Sequence, residues 1–531
     1  MKKRLLAMLL TASMAVSMTA CGGDSESTAE GSATAAGVTY KNEIQIAVNS
    51  EPPSMDPHMS VSISTRETGR YIWECLFELN SQYQATPQLC ESVEHSDDNK
   101  TWTFYLRKGV KFHNGDEMTA DDVVASLNRW ARYSSAAKNM ITADEQFTKV
   151  DDNTVQLVLT KPNLFVPETL ANPTQFSAIM PQESVEAAGD GAVVDYIGTG
   201  PMTFVEWREN QSMKLQKFAE YCPPDMPIDG AAGDRTVSVE SAVINFVTDA
   251  ATRLAGAQSG QYDVAVKINY DNLAQLESMD SINIVQDIEG TFFLCFMKNE
   301  GSIFYNNPKL RQAIAMGIDI DEIMAAAVPA EGYCEIIPSY LTSEQSDWFT
   351  GDAGSDVYNT KDTAKAKALI AEAGYDGTPL RMVTTQSRPT MYNASLVLQQ
   401  QLEALGFTVD LQVYDWAAFL EHNATEEYTD LYVTNYPPAS MPAIEPYLMP
   451  TGAGHANDEH LTELFDQMKA CKTQEEAKAI WADAQSYCLN EYVPIVKLAD
   501  HMNVNAVQST VENFDSFLSF CLWGDVKVRE K

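Results

Sequence analysis

His113, Asp116 and Asp121 lie close together in "LRKGVKFHNGDEMTADDVV", residues 106 to 124. An imidazole with two carboxylates is a donor set for a divalent cation. The same stretch also reads as fold wiring. Val110 and Phe112 continue a hairpin whose corner is Asn114-Gly115. Thr119 is placed as an N-cap with Asp122 at N3, and Asp121 and Asp122 sit at the positive end of a helix dipole. The helix that follows buries Val123, Val124, Leu127 and Trp130. The hairpin bend keeps the three candidate ligands apart, so no metal is assigned here. His455 and His460, in "GHANDEHLTELF", are the other neighbouring histidines. Asn457 reads there as an N-cap with Asp458 and Glu459 in the first turn, so no metal is assigned there either. The chain has no H-E-x-x-H, G-x-S-x-G, G-x-x-x-x-G-K-[ST] or nucleotide-type G-x-G-x-x-G, and "GTGP" at 198 to 201 reads as a turn. The expectation is a protein that is not an enzyme and carries no cofactor.

The elements that position these residues belong to a long, acidic, exported chain. At 531 residues it needs two or three lobes, and 45% hydrophobic residues fill their cores. A formal net charge of −38 excludes nucleic acid as a partner. The N-terminus "MKKRLLAMLLTASMAVSMTAC" has a basic start, an apolar run and small residues before Cys21. Residues 1–20 are therefore read as a secretory signal. Its end is similar to bacterial lipoprotein processing, which makes Cys21 the lipidated first residue of the mature chain; the alternative is ordinary cleavage after Ala20. Residues 21–37 hold this cysteine and "GGDSESTAEGSATAAG", a flexible tether with nothing to bury. The eight later cysteines show no metal spacing, and several sit in apolar runs as buried thiols.

Along the mature chain, "NEIQIAVNS" (42 to 50) alternates as a strand and "EPPSMDP" is a proline-locked loop. Apolar spacing in "TRETGRYIWECLFEL" predicts a helix over 65–79, and "KTWTFYLRKG" reads as a strand. From 359 on, "DTAKAKALIAEAGYDG" is a helix capped at Gly374, followed by the strand "LRMVTT". "SLVLQQQLEALGFTVDLQVYDW" repeats helix, glycine cap and strand. That alternation predicts an α/β lobe with a largely parallel sheet, whereas 80 to 160 reads as hairpins with one helix.

These segments together carry a resemblance. "PQLCESVEHSDDNKTWTFYLRKGVKFHNGDEMTADDVVASLNRW" (87 to 130) resembles the signature region of the family 5 extracellular solute-binding proteins, the dipeptide, oligopeptide and nickel class of ABC-importer receptors. "YIGTGPMTFVEW" (196 to 207), "TRLAGAQSGQYDVA" (252 to 265), "NNPKLRQAIAMGIDIDEIM" (306 to 324) and the two helix–strand segments above follow in the family's order. The resemblance covers about 44 to 525. It implies a type II periplasmic-binding-protein-like α/β fold, with two lobes, hinge crossings and an extra small domain. Lobe I comprises 38–65, 196–288 and 497–531, the extra domain II 66–195, and lobe II 289–496. The crossings fall near "DIEGTFF" (287 to 293) and "VPIVKLAD" (493 to 500).

The resemblance also implies the function: a lipoprotein on the extracytoplasmic face captures a peptide or similar small solute between its lobes and delivers it, unaltered, to a membrane permease. A sensor without transport, or a receptor for a sugar, opine or metal chelate, stays open. A monomer is expected. In dipeptide-binding relatives an Arg-Pro pair grips the ligand carboxylate, and "QSRPTMYN" supplies Arg388; a surface arginine in a proline loop is the alternative. Asp415-Trp416 matches an acid–aromatic pair whose tryptophan lines the cleft, against a plain core tryptophan. Relatives place an aspartate of a W-x-x-D segment on the ligand ammonium. Here Tyr432 and Asn435 take the two positions, and Asn435 brings no formal charge.

Overall fold

The structure, a computed structural model, describes residues 38–351, 355–424, 427 and 429–530. The signal segment 1–20, Cys21 and the tether to residue 37 lie outside the described residues. No helix among the described residues is long and apolar enough to cross a membrane.

Two long strands organise the rest. Ile282–Phe296 and Ile495–Gln508 pair antiparallel, with irregularities between Ile288 and Gly290 and between Phe292 and Phe293. On one side the sheet continues through Val264–Ala265, Glu43–Val48, Ser241–Phe246, Ser212–Lys217 and Met202–Arg208. On the other it continues through Leu431–Tyr436, Leu380–Thr385 and Val409–Tyr414, and Cys334–Glu335 pairs with Ile495–Gln508. One eleven-stranded sheet therefore runs from lobe I to lobe II through the crossing strands.

In lobe II, Leu380–Thr385 is parallel to both Val409–Tyr414 and Leu431–Tyr436. Parallel neighbours need a crossover, and the Pro389–Leu405 helix supplies one. It ends at Gly406, whose φ of +106° turns the chain back into the sheet. The sheet is buried on both faces. Leu431 and Val433 pack under the helices Pro308–Gly317, Ile320–Ala327 and Pro389–Leu405. Tyr432 points the other way, toward Trp481, Tyr447 and Phe419. This is the period-two alternation of a strand.

Domain II is a four-stranded antiparallel sheet, Cys90–His95, Thr101–Leu106, Thr154–Val158 and Phe147–Asp151, covered by the Ala120–Tyr133 helix. Trp102, Phe104 and Leu106 meet Val123, Leu127 and Trp130 in its core. The Thr119 N–H donates to Asp122 Oδ2 at 2.8 Å, so Asp122 caps this helix, while Asp121 accepts from Lys149 Nζ at 2.8 Å. Tyr71–Trp73, Cys75, Phe176, Ala178 and Met180 pack instead into the core of lobe I, beside Ile44, Ile46 and Ile244.

Three local expectations are corrected. The helix expected over 65–79 spans only Ile63–Gly69. Beyond it Tyr71–Leu79 is buried on every side, and its carbonyls bind another segment: Gly200 N–H donates to Ile72 O and Met202 N–H to Tyr71 O, each at 2.9 Å. The approach is so close that a Cβ on Gly198 would lie 2.0 Å from Ile72 O. His113 does more than fill a turn. Its Nδ1 accepts from Gly198 N–H at 3.3 Å and its Nε2 donates to Gly200 O at 2.9 Å, clamping that loop. Burial holds its pKa below the usual imidazole value. The cap before His460 is Asp458, one residue later than expected, accepting from Leu461 N–H at 2.8 Å. Among the described residues no group of three or more His, Cys, Asp or Glu side chains is placed to hold a metal. The eight described cysteines are free thiols, and Cys75, Cys90, Cys295, Cys488 and Cys521 are buried.

Candidate functional site

The three parallel strands of lobe II end at one edge, the place where open α/β sheets bind ligands. Arg388 follows Leu380–Thr385, Trp416 follows Val409–Tyr414, and Asn435 stands near the end of Leu431–Tyr436. Arg388 occupies the N-cap of the Pro389–Leu405 helix, with Pro389 presetting the first turn. An arginine side chain has no acceptor, and it makes no capping hydrogen bond there. The first amides of that helix thus retain their capacity to donate. Asp415 behaves differently: it caps the Trp416–His422 helix, accepting from Ala418 N–H at 3.0 Å.

The Arg388 guanidinium lies 4.8 Å from the Trp416 ring centroid. Such a stack fixes the plane of the cation and leaves its N–H edge to bind something else. Trp416 is stacked on Phe419 at 5.5 Å, and Phe419 meets Tyr432 edge-on at 6.2 Å. Tyr432 itself is 2% exposed, within the lobe II core. It reaches Arg388 only through this aromatic series. Asn435 is half-buried and pairs with Phe292 of the crossing strand.

Facing this edge is an ion cluster that sequence reasoning missed. Glu289 sits on the crossing strand, with Oε1 3.0 Å from Lys267 Nζ and Oε2 3.2 Å from His501 Nε2. His501 Nδ1 is 3.1 Å from Gly290 O, so both ring nitrogens face oxygens. Burial alone would raise the Glu289 pKa. Lys267, His501 and the positive charge of Arg388 outweigh it and hold the carboxyl well below the usual range. Arg253 belongs to the same surroundings, donating to the carbonyls of Val247, Thr248, Val266 and Lys267. Burial, reinforced by Arg388, pulls its pKa down to about 10. The signal in the sequence was slight: two ionisable residues within each of the otherwise mostly apolar runs "DVAVKIN", "DIEGTFF" and "LADHMN". The site has a planar cation and open helix amides at one wall, and a Lys267–Glu289 pair near it.

The family model described as bacterial extracellular solute-binding proteins, family 5 Middle, matches residues 84–458. The chain belongs to this family. Among its relatives is a probable peptide ABC transporter periplasmic-binding protein of Sinorhizobium fredii, 27% identical over 463 residues, covering 83% of this chain and 85% of the relative. The dipeptide-binding protein DppE of Bacillus subtilis is 24% identical over 542 residues, 96% of each chain. The periplasmic binding protein AgaA of A. tumefaciens R10, solved with agropinic acid, superposes with a TM-score of 0.77 over 92% of this chain and 99% of that one, at 23% identity. The fold is that of the type II binding proteins of family 5, as the sequence motifs implied.

Proposed function

We propose that this family 5 protein is the capture component of an ABC importer, and that its ligand is a peptide or similar small solute bound through a carboxylate. The observation that carries the reading is Arg388, stacked on Trp416 at the uncapped N-terminus of Pro389–Leu405. A guanidinium fork matches a carboxylate bidentately, and helix-end amides favour the same charge. Peptide-binding relatives support a peptide; so does the arginine-proline pair. Trp416 and Asn435 line the ligand, and Tyr432 supports the aromatic wall from behind.

A solute touching both lobes only in the closed state closes the hinge by its difference in affinity. The closed form then docks on a permease as a monomer, and the solute leaves unchanged. Lobe I, domain II and lobe II take the boundaries given above. Cys21 carries the lipid that holds the protein at the outer face of the cell membrane. A sensor of the same fold would bind the same solute and lack a permease.

One observation favours a second ligand class. Asn435 brings no charge for an ammonium, and Glu289 is already shared by Lys267 and His501. An anionic, non-peptide solute such as an opine, a sugar acid or a metal chelate suits such a site. A thermal-shift panel of the mature protein against di-, tri- and oligopeptides, sugars, opines and nickel chelates separates the classes. A ligand at 100 times its Kd adds about 2.7 kcal/mol. A shift with none of these solutes would overturn the reading.

A further inference from the structure

Domain II is fixed to lobe I by a buried ion pair and a second arginine. Arg129 grips Asp56 at 3.1 and 2.6 Å, and Arg107 donates to Cys222 O at 2.9 Å. Any contact from domain II to lobe II therefore ties the two lobes together. The structure contains a dense seam of such contacts. Phe165 of domain II is 2% exposed and packs within the hydrophobic cluster of lobe II, edge-on to Trp348 at 5.4 Å. Around it, Leu164 N–H donates to Lys469 O at 2.9 Å and Asn99 Nδ2 to Cys471 O at 2.7 Å. Ser440 Oγ donates to Glu168 O at 2.9 Å, and Tyr83 OH to Glu344 Oε2 at 3.1 Å. Asn163 presents Phe165 rigidly, accepting its N–H at 3.0 Å while Asn163 O takes the Trp102 indole at 3.1 Å.

Glu168 is the anomaly in this seam. Its Oε2 is buried with no hydrogen-bond partner. The charged groups around it give no compensation. Asp347 of lobe II faces it, with Gln84 Nε2 at 2.7 Å and Lys478 at 3.5 Å. Lys469, on the opposite wall, is turned to Asp466 at 3.9 Å, and Asp466 also lies 3.2 Å from Lys161. Glu344 is a further acid, bonded to Tyr83. Burial pushes the Glu168 carboxyl up to about 7, with Asp347 adding to the rise against a backbone hydrogen bond.

We propose that this seam is a latch: Phe165 seats in lobe II when the lobes close, with or without solute, and Glu168 enters the seam neutral, so the latch loosens as pH rises. The sign follows from linkage. In the open form Glu168 is in water and titrates as an ordinary carboxyl, whereas in the closed form it keeps its proton to higher pH. Closure is therefore unpenalised below the ordinary carboxylate range and weakens as pH climbs toward 7. Each unit of difference is about tenfold in the closed-to-open ratio. The proposal rests on the two-lobe capture reading but needs no solute, so failure to identify a ligand leaves it standing.

The experiment uses mature protein stripped of solute by unfolding and refolding, with small-angle scattering at pH 5 and pH 8. The wild type is expected to be more expanded at pH 8, with the compact population down about tenfold or more. Glu168→Gln is expected to be equally compact at both. Phe165→Ala is expected to be expanded at both and to lose amide protection over 161–170, while Pro389–Leu405 stays protected. An identical pH response in the wild type and Glu168→Gln, or a wild-type radius that does not change with pH, would overturn the pH dependence. A compact Phe165→Ala with 161–170 still protected would overturn the latch. Glu168→Gln keeps shape and volume, so the test survives if Phe165→Ala fails to fold.

Discussion

Arg388 and Trp416 come from different strand–helix connections of lobe II, yet the guanidinium of one lies 4.8 Å from the ring centroid of the other. The pairing fixes the direction of the arginine fork at the head of a helix that lacks a cap. Truncating either residue therefore has a distinct cost. Arg388→Ala should weaken a carboxylate-bearing ligand by about 2–4 kcal/mol, a thirtyfold to thousandfold rise in Kd. Arg388→Lys should recover only part, because an ammonium neither forks nor stacks. Trp416→Ala should cost about 0.5–2 kcal/mol, the range of a lost cation–π contact. Isothermal titration with the strongest hit of the thermal-shift panel reads all three.

Glu445 makes stability depend on pH. It is 1% exposed, its Oε1 accepts from Ala439 N–H at 2.8 Å, and its Oε2 has no partner. Burial pushes its pKa up to about 8. The folded protein thus keeps a proton that the unfolded chain releases at ordinary carboxylate pH. Stability from this group is intact below about pH 4.5 and declines as pH rises to about 8, by at most about 1.4 kcal/mol per unit. Glu445→Gln removes this group's share of the dependence. Urea unfolding at pH 5 and 8 should show the variant gaining on the wild type at the higher pH, and parallel curves would contradict the assignment.

The loop at 198–200 should tolerate almost no change. A Cβ on Gly198 would lie 2.0 Å from Ile72 O, and backbone at that distance cannot yield cheaply. Gly198→Ala should lose about 1–3 kcal/mol, the usual range for forced overpacking. His113→Ala should destabilise less, since it removes two hydrogen bonds to that loop without forcing atoms together. Thermal unfolding should rank the two variants in that order.

Thiol chemistry should divide the cysteines by burial. Cys222, Cys334 and Cys471 are partly exposed and should react with iodoacetamide in the native state. Cys75, Cys90, Cys295, Cys488 and Cys521 are buried and should react only after unfolding. Peptide mapping after timed alkylation distinguishes the sets, and a reducing agent should leave the Tm unchanged. The proposed lipid on Cys21 is tested by fractionation: Cys21→Ala should move the chain from the membrane to the soluble fraction.

Much of the fold was legible because its signals are local. The glycine at 406, the strand alternation of Glu43–Val48 and the Thr119–Asp122 cap each depend on a few neighbouring residues. Tyr71–Leu79 misled because a segment buried on all sides shows no true periodicity; its partners at 200 and 202 are distant in sequence. The W-x-x-D comparison failed to put Tyr432 at the site surface for a geometric reason. Residues three apart in a strand point to opposite faces, so Tyr432 and Asn435 cannot share one. Lys267, Glu289 and His501 come from three separate segments, and only the crossing strands bring them together.

The most direct test pairs one ligand as a free acid and as its amide, titrated into the wild type and Arg388→Ala. The wild type should prefer the acid by about 2 kcal/mol or more, and the variant should bind both forms alike, weakly. Retention of the full acid preference without Arg388 would show that the carboxylate lies elsewhere and would contradict the site.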